Sequence, residues 1–560
     1  MKRKIRYLVI IGLLLILTCV QKVEFFYSEA VVEGNVKSIP PVEWRTVVAE
    51  SVNSKPIILM VDGKQVETAR DRLYMDSNSM EIMMPVSMVT KAFSCAENYY
   101  DNSRLVLEKN TLRVELEESV VNRDGKLYIP LTDIEQGLNY TMNWDIGTHT
   151  VTMVNKNPNM RIIPYAYDYR KEGRVPAVKN QGSLGTCWSF ASLTALETVL
   201  MPEDPMDLSE DHMSINNSFH LSQNDGGEYT MSMAYLLAWQ GPVLEEDDPY
   251  GDGISPDDLD PVKHVQEIQI LPSKDYEKIK EAVYLYGGVQ SSLYTSLKNY
   301  KSRSVYYNQE NNAYCYIGPD KPNHDSVIIG WDDNYPKENF NMDLEGDGAF
   351  ICVNSWGQEF GDEGYFYVSY YDTNIGIHNI LYTRVEDPDN YDHIYQTDLC
   401  GWIGQLGYGE ETAYFANVYK AGDGEDLRAA GFYATGPDTD YEVYVARNLD
   451  ESRDFSKRTL VAKGNFANSG FYTVDFDRDI ELDDGEEYAV IVKITTPGSV
   501  HPVAIEYDAD DNKAQVDITD GEGYISLKGT VWERSEEKQS CNLCLKAYTV
   551  DRGKRGDSLK

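Results

Sequence analysis

The chain has 560 residues, and its 51 basic and 91 acidic residues give a formal net charge of −40 at pH 7. So acidic a surface repels nucleic acid and anionic lipid, which argues against both as partners. The hydrophobic fraction of 42% and the charged fraction of 25% are typical of globular proteins. At about 150 residues per domain, the length predicts three or four domains.

Residues 1–30 have the layout of a secretory signal peptide. The basic start MKRKIRY precedes the apolar run LVIIGLLLILTCV, and Ser28 and Ala30 place small residues at a cleavage site. The apolar run is shorter than the roughly 20 residues that span a bilayer. The sequence therefore predicts export in soluble form, with cleavage favoured over a retained anchor, and a linker at 31–56.

An internal repeat follows, because residues 85–108 align without a gap on residues 130–153. Pro85 matches Pro130, and each copy predicts a short helix after the proline and then two strands around a polar turn. The pattern resembles the small stalk-type domain first described at the N-terminus of copper amine oxidases. We expect an α/β repeat domain at 57–155 that acts as a spacer or folding module. It has no cluster of histidines for copper.

The stretch QGSLGTCWSF places a cysteine just ahead of a helical pattern. Apolar residues recur at helical spacing after Cys187, which predicts a helix that starts at the cysteine; they are Phe190, Leu193, Leu196 and Leu200. A helix N-terminus favours the thiolate, the nucleophilic form of the side chain. The side-chain amide of Gln181 and the backbone N–H of Cys187 are expected to form an oxyanion hole.

A cysteine nucleophile needs a base and a group that orients the base. His324 opens HDSVIIGW, which predicts a buried strand, so its ring projects from a rigid strand end. The next predicted strand, in GAFICVNSWG, ends on Asn354, whose amide oxygen can fix the imidazole. The indole of Trp356 can shield that hydrogen bond from water. Cysteine, histidine and asparagine thus each lie at the end of an element.

These segments together resemble the papain family of cysteine peptidases over residues 161–385, and we assign the domain to 156–388. The resemblance implies an α+β fold with a helical left lobe and a β-barrel-like right lobe. It implies that Cys187 is the nucleophile, His324 the base and later the acid, Asn354 the orienting residue and Gln181 the oxyanion donor. Substrate-binding residues implied by it are Gly226 and Gly227, as a backbone edge for an extended peptide, together with Trp356.

The sequence departs from the family pattern at several points. Leu184 stands where many members have a disulfide cysteine, and Asp325 stands after His324, where a small apolar residue is commoner. The segment DDNYPKENFNMDLEGDG inserts an acidic loop, for which solvated carboxylates are favoured over a Ca²⁺ site, so no cofactor is expected. In place of a helical inhibitory propeptide stands the repeat domain, which either covers the substrate groove or spaces the enzyme from the envelope.

Residues 389–550 contain alternating or apolar runs such as YEVYVA, GFYTVDF and EYAVIVKI, which predict a β-sandwich. The region resembles the lectin-like domain that follows such peptidases in clostridial-type surface proteins. That resemblance implies binding of cell-surface carbohydrate, although it assigns no sugar-binding residues. A disordered basic tail is predicted at 551–560. Six cysteines besides Cys19 and Cys187 permit 15 disulfide pairings, and the sequence does not select among them.

The fold class predicted is thus multidomain: a small α/β repeat domain, a papain-like peptidase domain and an all-β sandwich. The leading functional hypothesis is an exported cysteine endopeptidase, secreted or at the cell surface, that acts on proteins or peptides through a thioester on Cys187. The alternative is a catalytically inactive papain-like adhesion or scaffold protein at the cell surface. Acyl transfer to a nucleophile other than water stays open, because its first half-reaction is identical.

Overall fold

The computed structural model describes residues 45–46, 56–66, 72–77, 79–93, 95–100, 104–109, 112–116, 119–123, 126–156, 163–297, 299, 301–508, 514, 516–519 and 521–552. The predicted signal peptide, most of the predicted linker and nearly all of the predicted tail lie outside these residues. Within these ranges no helix combines the length and the hydrophobicity that crossing a membrane requires.

The predicted repeat is present in the structure. In each copy a proline leads into a short helix, and an antiparallel strand pair follows. The helices are Val86–Met88 (a 3₁₀ turn), Val89–Phe93 and Leu131–Gly137. The strands are Arg45–Thr46, Ile58–Val61, Lys64–Val66, Tyr74–Met75, Ile82–Pro85, Ala96–Tyr100, Arg104–Lys109, Leu112–Leu116, Val121–Arg123, Lys126–Pro130, Tyr140–Asp145 and Thr150–Asn155.

The two copies fold as one unit. Ile82–Pro85 and Lys126–Pro130, the strands that lead into the two helices, pair with each other in antiparallel register. Apolar side chains from both copies share one core, which neither short copy can build alone. Arg45–Thr46, inside the segment predicted as linker, also pairs with this sheet. Strand Ala96–Tyr100 contacts helix Tyr276–Leu285 of the following domain.

A long buried helix, Cys187–Leu200, forms the centre of the helical lobe. Its bounds confirm the helix predicted from the spacing of apolar residues, and every residue from Trp188 to Leu200 is buried. Its polar side chains, which include Ser192 and Glu197, have hydrogen-bond partners inside the protein, so the whole helix can lie in the interior. The other helices of the domain are Tyr169–Glu172, Glu210–Ile215, Tyr229–Leu237, Tyr276–Leu285 and the 3₁₀ turn Lys337–Asn339.

The second lobe is built on an antiparallel sheet whose middle strand is His324–Asp332. This strand is buried from its first residue to its eighth, as its apolar run predicts, and it pairs with Val289–Leu293 on one side and Ala349–Val353 on the other. Because neighbouring antiparallel strands start and end at the same edge, His324 and Asn354 meet there. The remaining strands are Ala166–Asp168, His264–Ile270, Tyr307–Asn308, Ala313–Tyr314, Tyr365–Ser369 and Asn379–Glu386.

The C-terminal region is the predicted β-sandwich. One of its sheets is six-stranded and runs from Arg458–Phe466 to Glu533–Arg534. A second sheet continues directly from the sheet of the peptidase-like domain, and Gly404–Leu406, Val503–Tyr507 and Cys541–Leu543 form a third, three-stranded sheet. The strands are His393–Tyr395, Gly404–Leu406, Thr412–Lys420, Glu425–Ala434, Thr439–Ala446, Arg458–Phe466, Ser469–Glu481, Glu487–Thr495, Val503–Tyr507, Gly523–Ser526, Glu533–Arg534, Cys541–Leu543 and Leu545–Asp551. A short helix, Ser535–Gln539, was not predicted.

The predicted fold class is therefore confirmed: a repeat domain, a two-lobed α+β domain and an all-β sandwich. The seven cysteines of the described ranges are all free thiols. In the inserted acidic loop, Tyr335, Phe340 and Leu344 turn inward and form a small core. The described residues include no group of three or more histidine, cysteine, aspartate or glutamate side chains placed to hold a metal ion.

Candidate active site

Cys187 is the first residue of the buried helix, and a glycine-rich loop precedes it. The backbone N–H of Gly185 donates to the carbonyl of Gln223 at 2.7 Å. A Cβ atom on Gly185 would lie 2.9 Å from the backbone nitrogen of Gly226, so a larger residue would push the two segments apart. The glycine thus sets the loop that carries Cys187 directly against the segment that contains Gly226.

His324 and Asn354 meet at the edge of the sheet as predicted. Nε2 of His324 lies 2.8 Å from Oδ1 of Asn354, and this oxygen also accepts from the backbone N–H of Ser355 at 2.8 Å. Since an amide oxygen only accepts, Nε2 carries the hydrogen and Nδ1 of the neutral ring is left to receive a proton. The ring centroids of Trp356 and His324 are 4.8 Å apart, and both residues are buried.

Gln181 is bound to the same strand end. Its backbone N–H donates to the carbonyl of Ser355 at 2.9 Å, and its Oε1 accepts from the Ser355 hydroxyl at 2.6 Å. One N–H of its amide donates to the carbonyl of Leu184 at 2.8 Å. A carboxamide nitrogen has two N–H groups, so the second one remains for an oxyanion. The Leu184 contact also holds the loop where many family members have a disulfide.

Gly226 and Gly227 form an open edge beside the nucleophile. A Cβ atom on Gly227 would lie 2.5 Å from Nε1 of Trp188, the residue that follows Cys187. Gly226 has a φ of +82°, and no heavy atom lies within 4 Å of where its Cβ would stand. The backbone here is accessible, as an edge for an extended peptide requires. Trp356, by contrast, is 7% exposed and packs on His324, which favours its shielding role over contact with substrate.

Burial governs the protonation of the Cys187 thiol and of the His324 imidazole. It raises the pKa of the Cys187 thiol to about 12 and lowers the pKa of the His324 imidazole. The nearby Asp325 carboxylate raises both pKa values, so it adds to the effect at the thiol and opposes it at the imidazole. The backbone N–H groups of Cys187 and Trp188 at the helix N-terminus do lower the pKa of the thiol, but burial outweighs them. Both shifts favour a neutral pair, so charge separation requires a proton to pass from one partner to the other.

Sequence reasoning assigned no role to Tyr250, which supports the loop that carries Gln181 (the oxyanion loop). Its hydroxyl donates to the carbonyl of Gln181 at 3.0 Å and lies 2.6 Å from the hydroxyl of Thr186. Its ring packs edge-on against Phe190, with centroids 4.7 Å apart. Ser355 was missed as well, although it adjoins Asn354. Both act through partners distant in sequence, which no local pattern reveals.

Comparison with known proteins finds two families along the chain. The sequence model of the family described as papain family cysteine protease matches residues 163–385, and that of the lectin-like domain matches residues 394–549. A structure of the clostridial cysteine protease Cwp84 after propeptide cleavage is similar, with a TM-score of 0.62 and 30% identity over 69% of this chain and 99% of that chain.

A second structure covers the cysteine protease and lectin-like domains of Cwp84, a surface layer associated protein of Clostridium difficile. Its TM-score is 0.61, with 29% identity over 69% of this chain and 89% of that one. Among curated relatives, the viral cathepsin of Epiphyas postvittana nucleopolyhedrovirus is 26% identical over 233 residues, or 40% of this chain. The match spans 65% of that relative, which is less than two thirds of its length.

Proposed function

Since the chain belongs to the papain family of cysteine proteases, we propose that it is an exported endopeptidase that hydrolyses peptide bonds of protein substrates. The observation that carries the proposal is the 2.8 Å hydrogen bond between His324 and Asn354 at the sheet edge. With Cys187 at the start of the buried helix and Gln181 bound to the same sheet edge, the site has a nucleophile, a base, an orienting group and an oxyanion donor.

In the first half-reaction, the Cys187 thiol gives its proton to Nδ1 of His324, and the sulfur attacks the carbonyl carbon of the scissile bond. The backbone N–H of Cys187 and the free N–H of Gln181 donate to the oxyanion that forms. The carbon–nitrogen bond then breaks, and His324 gives its proton to the leaving amine. The acyl group is left on the sulfur as a thioester.

In the second half-reaction, water replaces the amine. His324 takes a proton from the water, whose oxygen attacks the thioester carbonyl, and the same two N–H groups stabilise the second oxyanion. The carbon–sulfur bond breaks, the thiolate takes the proton back, and the carboxylic acid leaves. Throughout, Asn354 holds the ring by Nε2, and the indole of Trp356 keeps water from that hydrogen bond.

Export and a surface location extend the proposal. The signal-like pattern of residues 1–30 supports export, and the similar protein Cwp84 is described as surface layer associated. The match of residues 394–549 to a lectin-like domain supports carbohydrate as a surface ligand of the sandwich. The repeat domain serves as a spacer or as a cover of the groove.

Labelling with an epoxide that traps activated thiolates, followed by peptide mapping, tests the function. We expect Cys187 to be labelled in the full-length protein, and we expect His324→Ala to slow labelling and peptide hydrolysis by about 10²- to 10⁴-fold, the usual contribution of a general base. His393→Ala is the control, because His393 is 44% exposed and pairs with Asp551 in the sandwich. If the folded protein is labelled nowhere, or only at Cys95 or Cys315, the inactive scaffold is the better description.

A further inference from the structure

Five polar or aromatic side chains lie near one another on segments that include the neighbours of the base and of the glycine edge. We call this group the acidic pocket; it consists of Glu228, Tyr229, Ser292, Asp325 and His378. Asp325 directly follows the base His324, and Glu228 directly follows the edge residue Gly227. The two carboxylates are therefore fixed by the same segments that fix the catalytic groups.

Asp325 is the buried acid of the pocket. It is 8% exposed, and its Oδ2 accepts from the side-chain amide of Gln290 at 3.0 Å. Gln290 is itself held by the Ser192 hydroxyl, which lies on the nucleophile helix and donates to Oε1 of Gln290 at 2.7 Å. In the described ranges no donor reaches Oδ1 of Asp325, and no lysine, arginine or histidine forms an ion pair with it. A buried carboxylate without a cation is unfavourable, and a bound cation relieves this.

The other members line the space around Asp325. Ser292 stands opposite Asp325 in the strand register, and its hydroxyl lies 3.4 Å from Nδ1 of His378. The rings of His378 and Tyr229 have centroids 5.5 Å apart. Burial lowers the pKa of His378, although Asp325 and Glu228 oppose the shift, so its imidazole is neutral near pH 7. The pocket thus carries negative charge and no positive charge of its own.

We propose that the acidic pocket binds a lysine or arginine side chain of the substrate close to the scissile bond. This inference rests on the proposed function and names a substrate class for it. A cationic side chain laid along the Gly226 edge would pair with the open oxygen of Asp325 and meet the Ser292 hydroxyl and the neutral ring of His378. An apolar side chain would displace water from the Asp325 carboxylate without donating a hydrogen bond or a positive charge to it, so the pocket selects against apolar side chains.

Paired peptide substrates that differ only in lysine against norleucine, an apolar chain of similar length, test this proposal. The pair is made at each position on the acyl side of the cleaved bond, and kcat/KM is measured with the full-length protein. We expect lysine to be preferred by at least about tenfold at one position. Asp325→Asn should lower that ratio by about 10- to 100-fold, the range for losing one partner of a desolvated charge pair.

Two further variants separate the pocket from general effects on catalysis. Glu228→Gln should lower the ratio only about two- to fivefold, because Glu228 is exposed and exposed charges are screened. Asp332→Asn, at the far end of the same strand, should leave the ratio unchanged. The ratio reports specificity, so a loss of overall rate in Asp325→Asn does not obscure it.

The outcomes distinguish the pocket from the proposed function. Cys187 labelling and peptide cleavage without a lysine preference at any position would overturn the pocket and leave the function intact. An active Asp325→Asn enzyme with an unchanged ratio would do the same. If this variant does not fold, the ratio of the unmodified enzyme decides. A protein that neither labels nor cleaves would overturn both.

Discussion

Ser355 connects two halves of the candidate site through one hydroxyl. Its Oγ donates to Oε1 of Gln181 at 2.6 Å, while its backbone N–H donates to Asn354 at 2.8 Å. The residue that aligns the oxyanion amide therefore also anchors the group that orients the base. A shift of Ser355 would misplace both, so its effect on catalysis is larger than that of one hydrogen bond.

We predict that Gln181→Ala lowers kcat by about 10²- to 10³-fold, the usual effect of removing one oxyanion donor. Ser355→Ala leaves the amide present and still held by its hydrogen bond to the Leu184 carbonyl, so it should lower kcat by a smaller factor. Steady-state hydrolysis of one peptide substrate measures both. Both variants lose the same 2.6 Å hydrogen bond. If their melting temperatures are similar, the larger kcat loss of Gln181→Ala comes from the missing oxyanion donor and not from lower stability. Equal kcat values in the two variants would contradict an oxyanion role for Gln181.

Cys187, His324 and Asn354 could be proposed from sequence because each lies at the end of an element with a strong local pattern, whereas Gln181 lies in the loop before the helix. The spacing of apolar residues after Cys187 predicted the helix, and the apolar run after His324 predicted the buried strand. The partners of Asp325 were not predictable in this way. Gln290 lies 35 residues from Asp325, and Ser192 lies 98 residues from Gln290, so only the folded sheet brings them together.

At the scale of elements, a buried ion cluster fixes the nucleophile helix to the oxyanion loop. Nζ of Lys179 lies 2.7 Å from Oε1 of Glu197, on the helix, and 2.9 Å from Oε1 of Glu210, on the next helix. Both glutamates are buried, whereas Asp207, the third acid in contact, is 64% exposed. Lys179 lies two residues before Gln181, so the cluster sets how the loop meets the helix.

We predict that Lys179→Met lowers the free energy of unfolding by about 3–5 kcal/mol, because it leaves two buried carboxylates without a cation. Adding Glu210→Gln should restore part of the loss, since one of those charges is removed. Urea unfolding of the single and double variants measures the difference. An unchanged stability in Lys179→Met would show that solvent reaches the cluster.

The same variant should be more stable at pH 5 than at pH 8. Burial raises the pKa of Glu197, and it raises the pKa of Glu210 to about 8 even with the lysine present. The folded state then binds protons that the unfolded state releases above about pH 4.5, so stability is lost as the pH rises toward 8. Lys179 lowers the pKa of both glutamates. Its removal therefore raises both pKa values and widens the pH range over which stability is lost. A variant that is more stable at pH 8 would contradict the assignment.

Over the whole molecule, the peptidase domain and the sandwich share one sheet. Strand His264–Ile270 of the first domain pairs with strand Ser469–Glu481 of the second. Buried side chains cross the junction: Asn468 donates to Oε1 of Gln269 at 2.9 Å, and the Thr473 hydroxyl donates to Oε1 of Gln266 at 2.7 Å. The core around the nucleophile helix also extends into the sandwich, through residues that include Tyr433, Phe471, Ala504 and Cys544.

This continuity was not predictable from sequence. The composition changes after residue 385 and the strand pattern of each region is complete by itself, so the sequence indicates two independent domains. A sheet edge that two domains share is defined by long-range pairing between Ile268 and Phe471, about 200 residues apart. Local propensity and periodicity carry no information on such a pair.

Gly470 lies in the strand pair that joins the two domains, opposite Gln269. Its φ is +139°, a backbone conformation that residues other than glycine rarely adopt. A Cβ atom there would lie 2.2 Å from the carbonyl oxygen of Ile268, which is backbone and cannot move aside without shifting the strand. The joint between the strands therefore requires a residue without a side chain.

We predict that Gly470→Ala lowers the melting temperatures of both domains together, by several degrees, because about 1–3 kcal/mol of strain falls on their common sheet. Calorimetry of the full chain measures the melting temperatures, and tryptic mapping assigns each transition to a domain. The unmodified protein should melt in one transition. Gly498→Ala is the matched control, since its φ is also positive, at +76°, but nothing lies within 4 Å of its Cβ position. Its smaller effect should come from backbone strain alone. In Gly470→Ala, the sandwich could instead melt in a separate transition while the melting temperature of the peptidase domain is unchanged. That result would show that the shared sheet joins two domains of independent stability.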